Sequence, residues 1–413
     1  MNESFTSEAA SLVGSGRDRS AAAAAAAAAS LPDSESEDWR YSPVGELPIG
    51  ELAPKTEPSG GVEVDQFTAV ISERAATVVL VDGFVDSITV DPGWSSKGLV
   101  VEADDTLAAD MPAEQQTIFD HLHQAFSPTA VRIEAPAGLA VDAPVIVLNH
   151  QATENAAIFP HLVISTGDAA ELSVIERQSS MDGFGLSVPV VELAAGDASQ
   201  LRYTVIQENG SAHWQIGRQL STLGAQTTLS TGTAAFGGKY GRMRSDSRLQ
   251  GRGSTANLVA AYYGDGDQVL DFRTFQHHEA RDTRSDLLFK GSQDDSSGSI
   301  YTGLIHIHPE GAGSNAFQTN RNVKLSEDAW AWSVPNLEIE NNDVHCSHAS
   351  TVSPVDGDQQ FYLHARGVPP GISDRLIVAG FYQEVIERLP VPAARNEVRR
   401  LIAQKLDRRT AGE

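Results

Sequence analysis

The feature that most constrains the fold is a glycine-led turn that recurs at a nearly constant spacing. Four copies, "GDAAELSVI", "GDASQLRYTVI", "GAQTTLSTG" and "GRGSTANLVAAYYG", begin at Gly167, Gly196, Gly224 and Gly251, so their offsets are 29, 28 and 27 residues. A short run of alternating apolar and polar residues, typical of a β-strand, follows each turn. This period predicts a solenoid in which each coil covers the apolar face of the last, a β-helix. An open β-sandwich is the alternative.

The rest of the chain divides into segments of different composition. Residues 1–30 are rich in Ser, Gly and Ala without a periodic apolar face, which predicts a disordered low-complexity tail. Residues 31–130 predict a helical or mixed N-terminal domain, because "AEQQTIFDHLHQAF" repeats an apolar residue at each helical turn. The β-helix core is predicted over residues 131–365, and a helical segment over residues 366–413.

Two amphipathic stretches define that helical end. The first, "SDRLIVAGFYQEVIERL", predicts a helix with Ser373 as N-cap that ends before Pro390 and Pro392. The second, "NEVRRLIAQKL", predicts a helix with basic residues around one apolar face, which could meet an acidic partner. The apolar stripe of the first helix is Ile377, Phe381, Val385 and Leu389.

Charge and cysteine content exclude several classes of protein. Fifty-five acidic against thirty basic residues give a net charge of −25, which argues against binding to nucleic acid or to anionic membranes. No run of apolar residues is long enough to span a bilayer. A single cysteine forms no internal disulfide, so we expect a reducing, cytoplasmic compartment.

That cysteine, Cys346, lies in "NDVHCSHAST" between two histidines. On an extended strand Cys346 and His348 point the same way, about 7 Å apart, and could share one metal ion. Alternatively, Cys346 is a small buried side chain and His348 its hydrogen-bonded neighbour. Because zinc or an iron-sulfur cluster normally takes four protein ligands, a site here requires a second subunit.

Other histidine and carboxylate pairs are weaker candidates. His306 and His308 in "HIHP" share one strand face, whereas His277 and His278 point to opposite faces. Neither pair has thiols or carboxylates at ligand spacing nearby, so the sequence does not favour metal binding by them. Two acidic pairs could supply the acid and base of a glycosidase, although such pairs are more often solvated surface. They are Asp294 with Asp295, and Glu338 with Glu340.

Common catalytic motifs are missing from the sequence. There is no G-x-S-x-G or H-E-x-x-H pattern, and "AAFGGKYG" lacks the spacing and the hydroxyl residue of a phosphate-binding loop. We therefore expect no nucleotide on this chain.

Several stretches nevertheless resemble a known family. "HHEARDTRSDLLFKG", "NLEIENNDVHCSHASTV" and "DQQFYLHARGV" are similar to the SufB/SufD family of iron-sulfur cluster assembly proteins, and "CSH" resembles its SufD branch. "SEDWRYSP" and "VRIEAPAGLAVDAPVIVL" extend the resemblance to about residues 31–390. Departures around the "CSH" triplet suggest a loop of different shape after it; they are Ala349, Ser350, Ser353, His364 and Ala365.

The resemblance implies a right-handed parallel β-helix between helical ends, in a non-catalytic scaffold subunit. It implies partnership with a SufB-like paralogue through the β-helix edge and with a SufC-like ABC ATPase through the C-terminal helices. Cys346 and His348 would lend ligand or proton-transfer groups to a transient, nascent iron-sulfur cluster held mainly by the paralogue. A homodimer is a further arrangement that the resemblance allows.

Two rival functions make different predictions. The SufB subunit itself would be expected to carry additional cysteines. A secreted β-helix enzyme acting on polysaccharides would group carboxylates across successive coils and would act alone.

Overall fold

The computed structural model describes residues 4–14, 16–33, 35–60, 71 and 73–412. The α-helices within these ranges are α1 (Ser7–Leu12), α2 (Ser20–Ala28), α3 (Pro92–Ser95), α4 (Ile118–Phe126), α5 (Gly357–His364), α6 (Pro370–Glu387) and α7 (Arg395–Gly412). The strands are β1 (Ala53–Pro54), β2 (Ala76–Val81), β3 (Phe84–Val90), β4 (Val100–Asp104), β5 (Ala130–Ala135), β6 (Val145–Gln151), β7 (Ala156–Ile158), β8 (His161–Thr166), β9 (Glu171–Ser180), β10 (Gly185–Ser187), β11 (Val190–Ala195), β12 (Gln200–Glu208), β13 (His213–Leu223), β14 (Thr228–Ala235), β15 (Tyr240–Leu249), β16 (Thr255–Gly264), β17 (Val269–His278), β18 (Arg284–Gln293), β19 (Gly298–Ile307), β20 (Asn315–Lys324), β21 (Trp330–Ile339) and β22 (His345–Pro354).

Along the chain, the strands of the coils alternate between two sheets. The first sheet runs in the order β21-β19-β17-β15-β13-β11-β8-β5-β4, and the second in the order β22-β20-β18-β16-β14-β12-β9-β6-β2-β3. Neighbouring strands within a sheet are parallel, apart from the β2–β3 and β4–β5 pairs. In the second sheet Gln200 lies beside Thr228, and Thr228 beside Thr255, so one coil takes 28 or 27 residues. The predicted parallel β-helix is confirmed, and the sandwich, whose sheets are antiparallel, is excluded.

Close stacking of the coils explains the recurring glycines. A Cβ atom built on Gly196 would lie 2.8 Å from the carbonyl carbon of Gly167, and one on Gly167 would lie 2.5 Å from the amide nitrogen of Ala137. Two residues later, Ala169 and Ala198 adopt left-handed backbone with φ of 54° and 56°. A side chain at these glycines would push successive coils apart, so the spacing of the glycines reports the stacking directly.

Apolar side chains from successive coils fill the space between the two sheets. Leu172, Leu201 and Leu229 lie side by side in neighbouring strands and are fully buried. Each coil thus covers the apolar face of its neighbour, as a solenoid requires. The last coil, made of β21 and β22, has no following coil among the described residues.

The C-terminal helices pack on the outer face of the second sheet. Val378 and Tyr382 of α6 are buried there, and the Tyr382 hydroxyl donates a hydrogen bond of 2.5 Å to the carbonyl of Tyr262. The predicted N-cap is wrong: Pro369 is the N-cap, and Ser373 lies buried in the first turn, where its hydroxyl donates to the carbonyl of Pro370. Within the described residues, no helix combines the length and hydropathy needed to cross a bilayer.

The N-terminal segment packs on the outer face of the first sheet. Ala23 and Ala26 of α2 are buried, and the Phe5 ring meets the Phe126 ring edge-on at 5.6 Å. The prediction of a disordered tail over residues 1–30 is therefore wrong for the described part of that range. Small alanine side chains let α2 approach α4 closely, which an analysis of amphipathic periodicity does not detect.

The β-helix also begins earlier than predicted. β2 pairs in parallel with β6, and β4 pairs with β5 in antiparallel orientation, so both belong to the two main sheets. The range 31–130 accordingly contains the first strands of the β-helix as well as the 3₁₀ turns and helices that cover its outer face.

Candidate functional site

Cys346 and His348 lie on β22, at the end of the second sheet. The register places Cys346 beside Ala316 and His348 beside Gln318 of β20. Ala316 and Gln318 are buried in the interior, whereas Phe317 between them is 45% exposed. Since side chains alternate along a strand, Cys346 and His348 point into the space between the two sheets. The prediction that they share one face is confirmed.

The end of this interior is open. Cys346 is half-buried against a small apolar cluster that includes Ile307 and Ala316, whereas His348 is exposed. β21 and β22 each pair with a strand on one side only, so within the described residues their outer backbone edges have no strand partner. An uncovered pair of strand edges is a surface on which another β-structure can add.

Polar groups with unused hydrogen-bonding capacity lie at the same end. Both amide atoms of the Gln318 side chain and the Ser333 hydroxyl are buried, and none of them has a hydrogen-bond partner within the described part of the chain. Ser333 of β21 pairs with Tyr301, a residue of the interior, so it too points inward. A thiol, an imidazole, an amide and a hydroxyl therefore point into the interior at the same end of the β-helix. The sequence reasoning missed Gln318 and Ser333, because only the strand register brings them there.

The electrostatic state of the thiol follows from its burial. Desolvation raises the pKa of Cys346, and the backbone hydrogen bond at Ala316 opposes this only in part. The isolated chain therefore holds a protonated thiol at neutral pH. A metal ion or cluster would have to displace that proton, since the thiolate is the ligand.

The residues predicted to dock an ATPase lie in two environments. Val385 and Leu389 are fully buried against the second sheet, while Ile377 and Phe381 are half-buried. Val385 and Leu389 thus belong to the chain's own core, because the apolar stripe of α6 is the face that covers the β-helix. The large apolar side chains left exposed on α5 and α6 are Phe361, Tyr362, Ile372 and Leu376.

The basic residues of α7 are partly paired within the chain. Lys405 lies 2.6 Å from Asp265, and Arg400 lies 2.6 Å from Glu397. The predicted amphipathic character is confirmed, since Val398 and Ile402 are buried against the second sheet.

One residue of each acidic pair makes a structural contact. Asp294 is buried and pairs with Arg409 and the Tyr263 hydroxyl. Glu340 accepts a hydrogen bond of 2.7 Å from His306. These partners give no support to a glycosidase acid and base.

The remaining histidines separate by face. His278 points inward, where hydroxyls of Thr283 and Ser285 lie 2.7 and 2.9 Å from its ring nitrogens, and burial lowers its pKa to about 4. His277 and His306 point outward, and with His308 they form a cluster on the outer face of the first sheet.

An ion-pair network that the sequence reasoning missed joins the N-terminal segment to the first sheet. Asp271 is fully buried and pairs with Arg242 and Arg273. Arg242 also lies 3.9 Å from the centre of the Trp39 ring, within the stretch "SEDWRYSP". Tyr41 from the same stretch stacks on Trp332 of β21 at 4.7 Å. That stretch therefore reaches the final coil of the β-helix.

Comparison with known proteins gives one consistent family. Residues 148–381 match the family model described as "SUF system FeS cluster assembly, SufBD core domain". The iron-sulfur cluster assembly SufBD family protein of Mycobacterium tuberculosis (strain H37Rv) is 30% identical over 67% of this chain and 69% of its own length. The iron-sulfur cluster assembly SufBD family protein of Mycobacterium leprae is 32% identical over 66% of this chain and 68% of its own length. The iron-sulfur cluster assembly protein SufD of Escherichia coli K12 is 24% identical over 91% of this chain and 89% of its own length. The chain therefore belongs to the SufBD family of the SUF system.

Proposed function

We propose that this chain is a SufD-type scaffold subunit of a SufBCD complex, supporting the assembly and transfer of iron-sulfur clusters. Its family and its similarity along nearly the whole chain to the E. coli protein called SufD support this role. In this proposal the chain is a non-catalytic subunit, and an ABC-type ATPase partner hydrolyses the nucleotide. A lone cysteine agrees with a reducing, cytoplasmic compartment.

The observation that carries the proposal is the open end of the β-helix. Two strand edges that no described residue covers with a further strand meet there, together with an inward-facing thiol and imidazole. Val352 of β22 and Ile339 of β21 are 42% and 45% exposed. Apolar side chains beside free strand edges favour a partner that continues the sheets, and a SufB-like paralogue with a β-helix of its own fits this requirement.

The substrate at this junction is a nascent iron-sulfur cluster. Cys346 and His348 offer at most two ligand atoms, whereas such clusters take four, so the paralogue supplies the rest. Thiolate sulfur is the ligand that iron-sulfur clusters prefer, and His348 is exposed enough to reach a cluster or to move a proton beside it.

The ATPase docks on the exposed faces of the C-terminal helices in this proposal. No residue of α5 is buried, and Phe361 is 76% exposed. A helix with exposed aromatic side chains and little packing of its own is typical of a partner contact. Leu376, 53% exposed on α6, extends this apolar surface onto the neighbouring helix.

Replacement of His348 in the reconstituted complex tests the proposal. We expect His348→Ala to reduce the rate of cluster formation by about tenfold or more, while the complex keeps its composition, because an exposed imidazole contributes little to folding. His345→Ala is the matched control, since His345 is exposed on the same strand but points to the opposite face. Cluster absorbance and the mass of the complex are measured together. An unchanged rate with His348→Ala contradicts the proposed site.

A further inference from the structure

We infer that His277, His306 and His308 form a binding site for a divalent transition-metal ion on the outer face of the first sheet. One ligand nitrogen from each of the three rings lies within 4.8 Å of the other two, and all three residues are half-buried. This site faces away from the interior into which Cys346 and His348 point. It is independent of the proposed function.

The stacking of one coil on the next builds the cluster. His277 of β17 and His306 of β19 are direct partners across the strand pair. Their neighbours His278 and Ile307 are buried in the interior, so His277 and His306 point outward. His308 follows β19 and stacks on His306 with ring centroids 3.9 Å apart. Residues 29 positions apart in the sequence thus meet only because of the coil period.

Burial favours the neutral, metal-binding form of His277. Burial lowers the pKa of His277, and the two neighbouring imidazoles lower it further, while Asp246 and Glu279 act in the opposite direction. A neutral imidazole presents the lone pair that binds a metal.

Two further observations indicate that the cluster binds a ligand. The Nε2 atom of His306 lies 2.7 Å from the Glu340 carboxylate, an arrangement that orients metal-binding histidines and leaves Nδ1 free. The Nε2 atom of His308 is buried and has no hydrogen-bond partner among the residues that the structure describes. A buried polar atom without a partner is destabilising, and a bound ion would satisfy it.

The donor set selects the class of ion. Three imidazoles without a thiolate suit Zn²⁺, Cu²⁺, Ni²⁺ or Fe²⁺ rather than Mg²⁺ or Ca²⁺. His277 and His308 line an open cavity of ≈ 510 Å³, so the ion would keep a position for water or another ligand. Zinc–nitrogen bonds of about 2.0–2.1 Å place ligand nitrogens about 3.4 Å apart, so binding draws the rings together through side-chain rotation.

Calorimetric titration of the untagged full chain with Zn²⁺ tests this site. We expect one ion per chain at this cluster, and at least tenfold weaker binding in His277→Asn and in His308→Asn. His150→Asn is the control, because His150 is a half-buried histidine on the second sheet that bonds to Ser179. Mg²⁺ should not compete.

A double variant at the open end of the β-helix distinguishes metal binding at the histidine cluster from metal binding at Cys346 and His348. In a chain carrying Cys346→Ser and His348→Asn, Zn²⁺ binding should persist, and Co²⁺ in place of Zn²⁺ should give a spectrum without a thiolate charge-transfer band. Thermal unfolding of each variant shows that the fold is retained. The inference is overturned if folded His277→Asn and His308→Asn bind Zn²⁺ as the unmodified chain does, or if binding disappears in the Cys346→Ser, His348→Asn background.

Discussion

Cys346 lies beside Ala316 in the last strand pair, and the inward position that is fully buried at Ala316 is only half-buried at Cys346. The two residues point into the same interior, so the difference in burial arises because no coil follows β22 among the described residues. A partner that continued the stack would bury Cys346 as Ala316 is buried. The chain thus presents its single thiol at the end of the β-helix, where the described residues add no further coil to cover it.

The thiol of Cys346 should react slowly with alkylating reagents in the isolated folded chain. Because burial raises its pKa, we expect the rate with iodoacetamide at pH 8 to be lower than for the same chain unfolded in urea, and to keep rising above the usual thiol pKa. Mass spectrometry of timed samples measures the rate. Equal rates in the folded and unfolded chains would contradict the burial argument.

The open edge predicts a specific defect in partner binding. Val352 points inward on β22 and is 42% exposed, so Val352→Lys should leave the chain folded but weaken association with the proposed SufB-like partner by about tenfold or more. Thr351→Lys, on the opposite face of the same strand, is the matched control. Light scattering after size-exclusion chromatography measures assembly. An equal loss of association in both variants would argue against a partner that packs on the inner face of β22.

Asp271 predicts a dependence of stability on pH. Burial alone would raise its pKa, but Arg242 and Arg273, with hydrogen bonds from Arg273 and Tyr240, outweigh burial and hold the pKa below its ordinary value. A depressed folded-state pKa contributes stability above the unfolded pKa of about 3.9, and that stability is lost as pH falls through the folded value. The stability that Asp271 contributes should therefore be lost below about pH 4, and the free energy of unfolding should fall there.

Replacement of Asp271 tests the same network at neutral pH. Asp271→Ala leaves two buried guanidinium groups without their carboxylate, so the free energy of unfolding should fall by about 3–5 kcal/mol. Urea denaturation measures the change. Asp267→Ala is the control, because Asp267 pairs with Lys239 at the surface and should contribute about 1 kcal/mol or less. A comparable small loss for both variants would refute the buried network.

Replacement by alanine should have opposite effects on stability at two glycines, one in the recurring turn and one on α6. A Cβ atom on Gly251 would overlap backbone atoms of Gly224 and Ala225 in the previous coil, so Gly251→Ala should destabilise the chain by about 3 kcal/mol or more. Gly380 lies on the exposed side of α6, and no other part of the described chain comes within 4 Å of its Cβ position, so Gly380→Ala should stabilise by up to about 1 kcal/mol. Thermal unfolding compares the two. A loss at Gly380 or tolerance at Gly251 would contradict this account.

The sequence predicted those parts of the fold that depend on local pattern. The glycine spacing predicted the β-helix because each coil meets the next at a turn that excludes side chains, and strand alternation predicted the shared face of Cys346 and His348. Amphipathic patterns predicted α6 and α7. The sequence does not predict the packing of the alanine-rich segment on α4, because that packing depends on small side chains and not on a periodic apolar stripe.

The amino-acid sequence by itself determined the period of the coils, the lone thiol and the strand that carries it, since these follow from steric rules acting between near neighbours. Only the tertiary structure decided which faces stay uncovered. Val385 and Leu389 became core because the β-helix offered them an apolar surface, whereas His277, His306 and His308 became neighbours because one coil lies in register on the next. Contacts between residues one coil apart depend on register, and register is a property of the assembled stack.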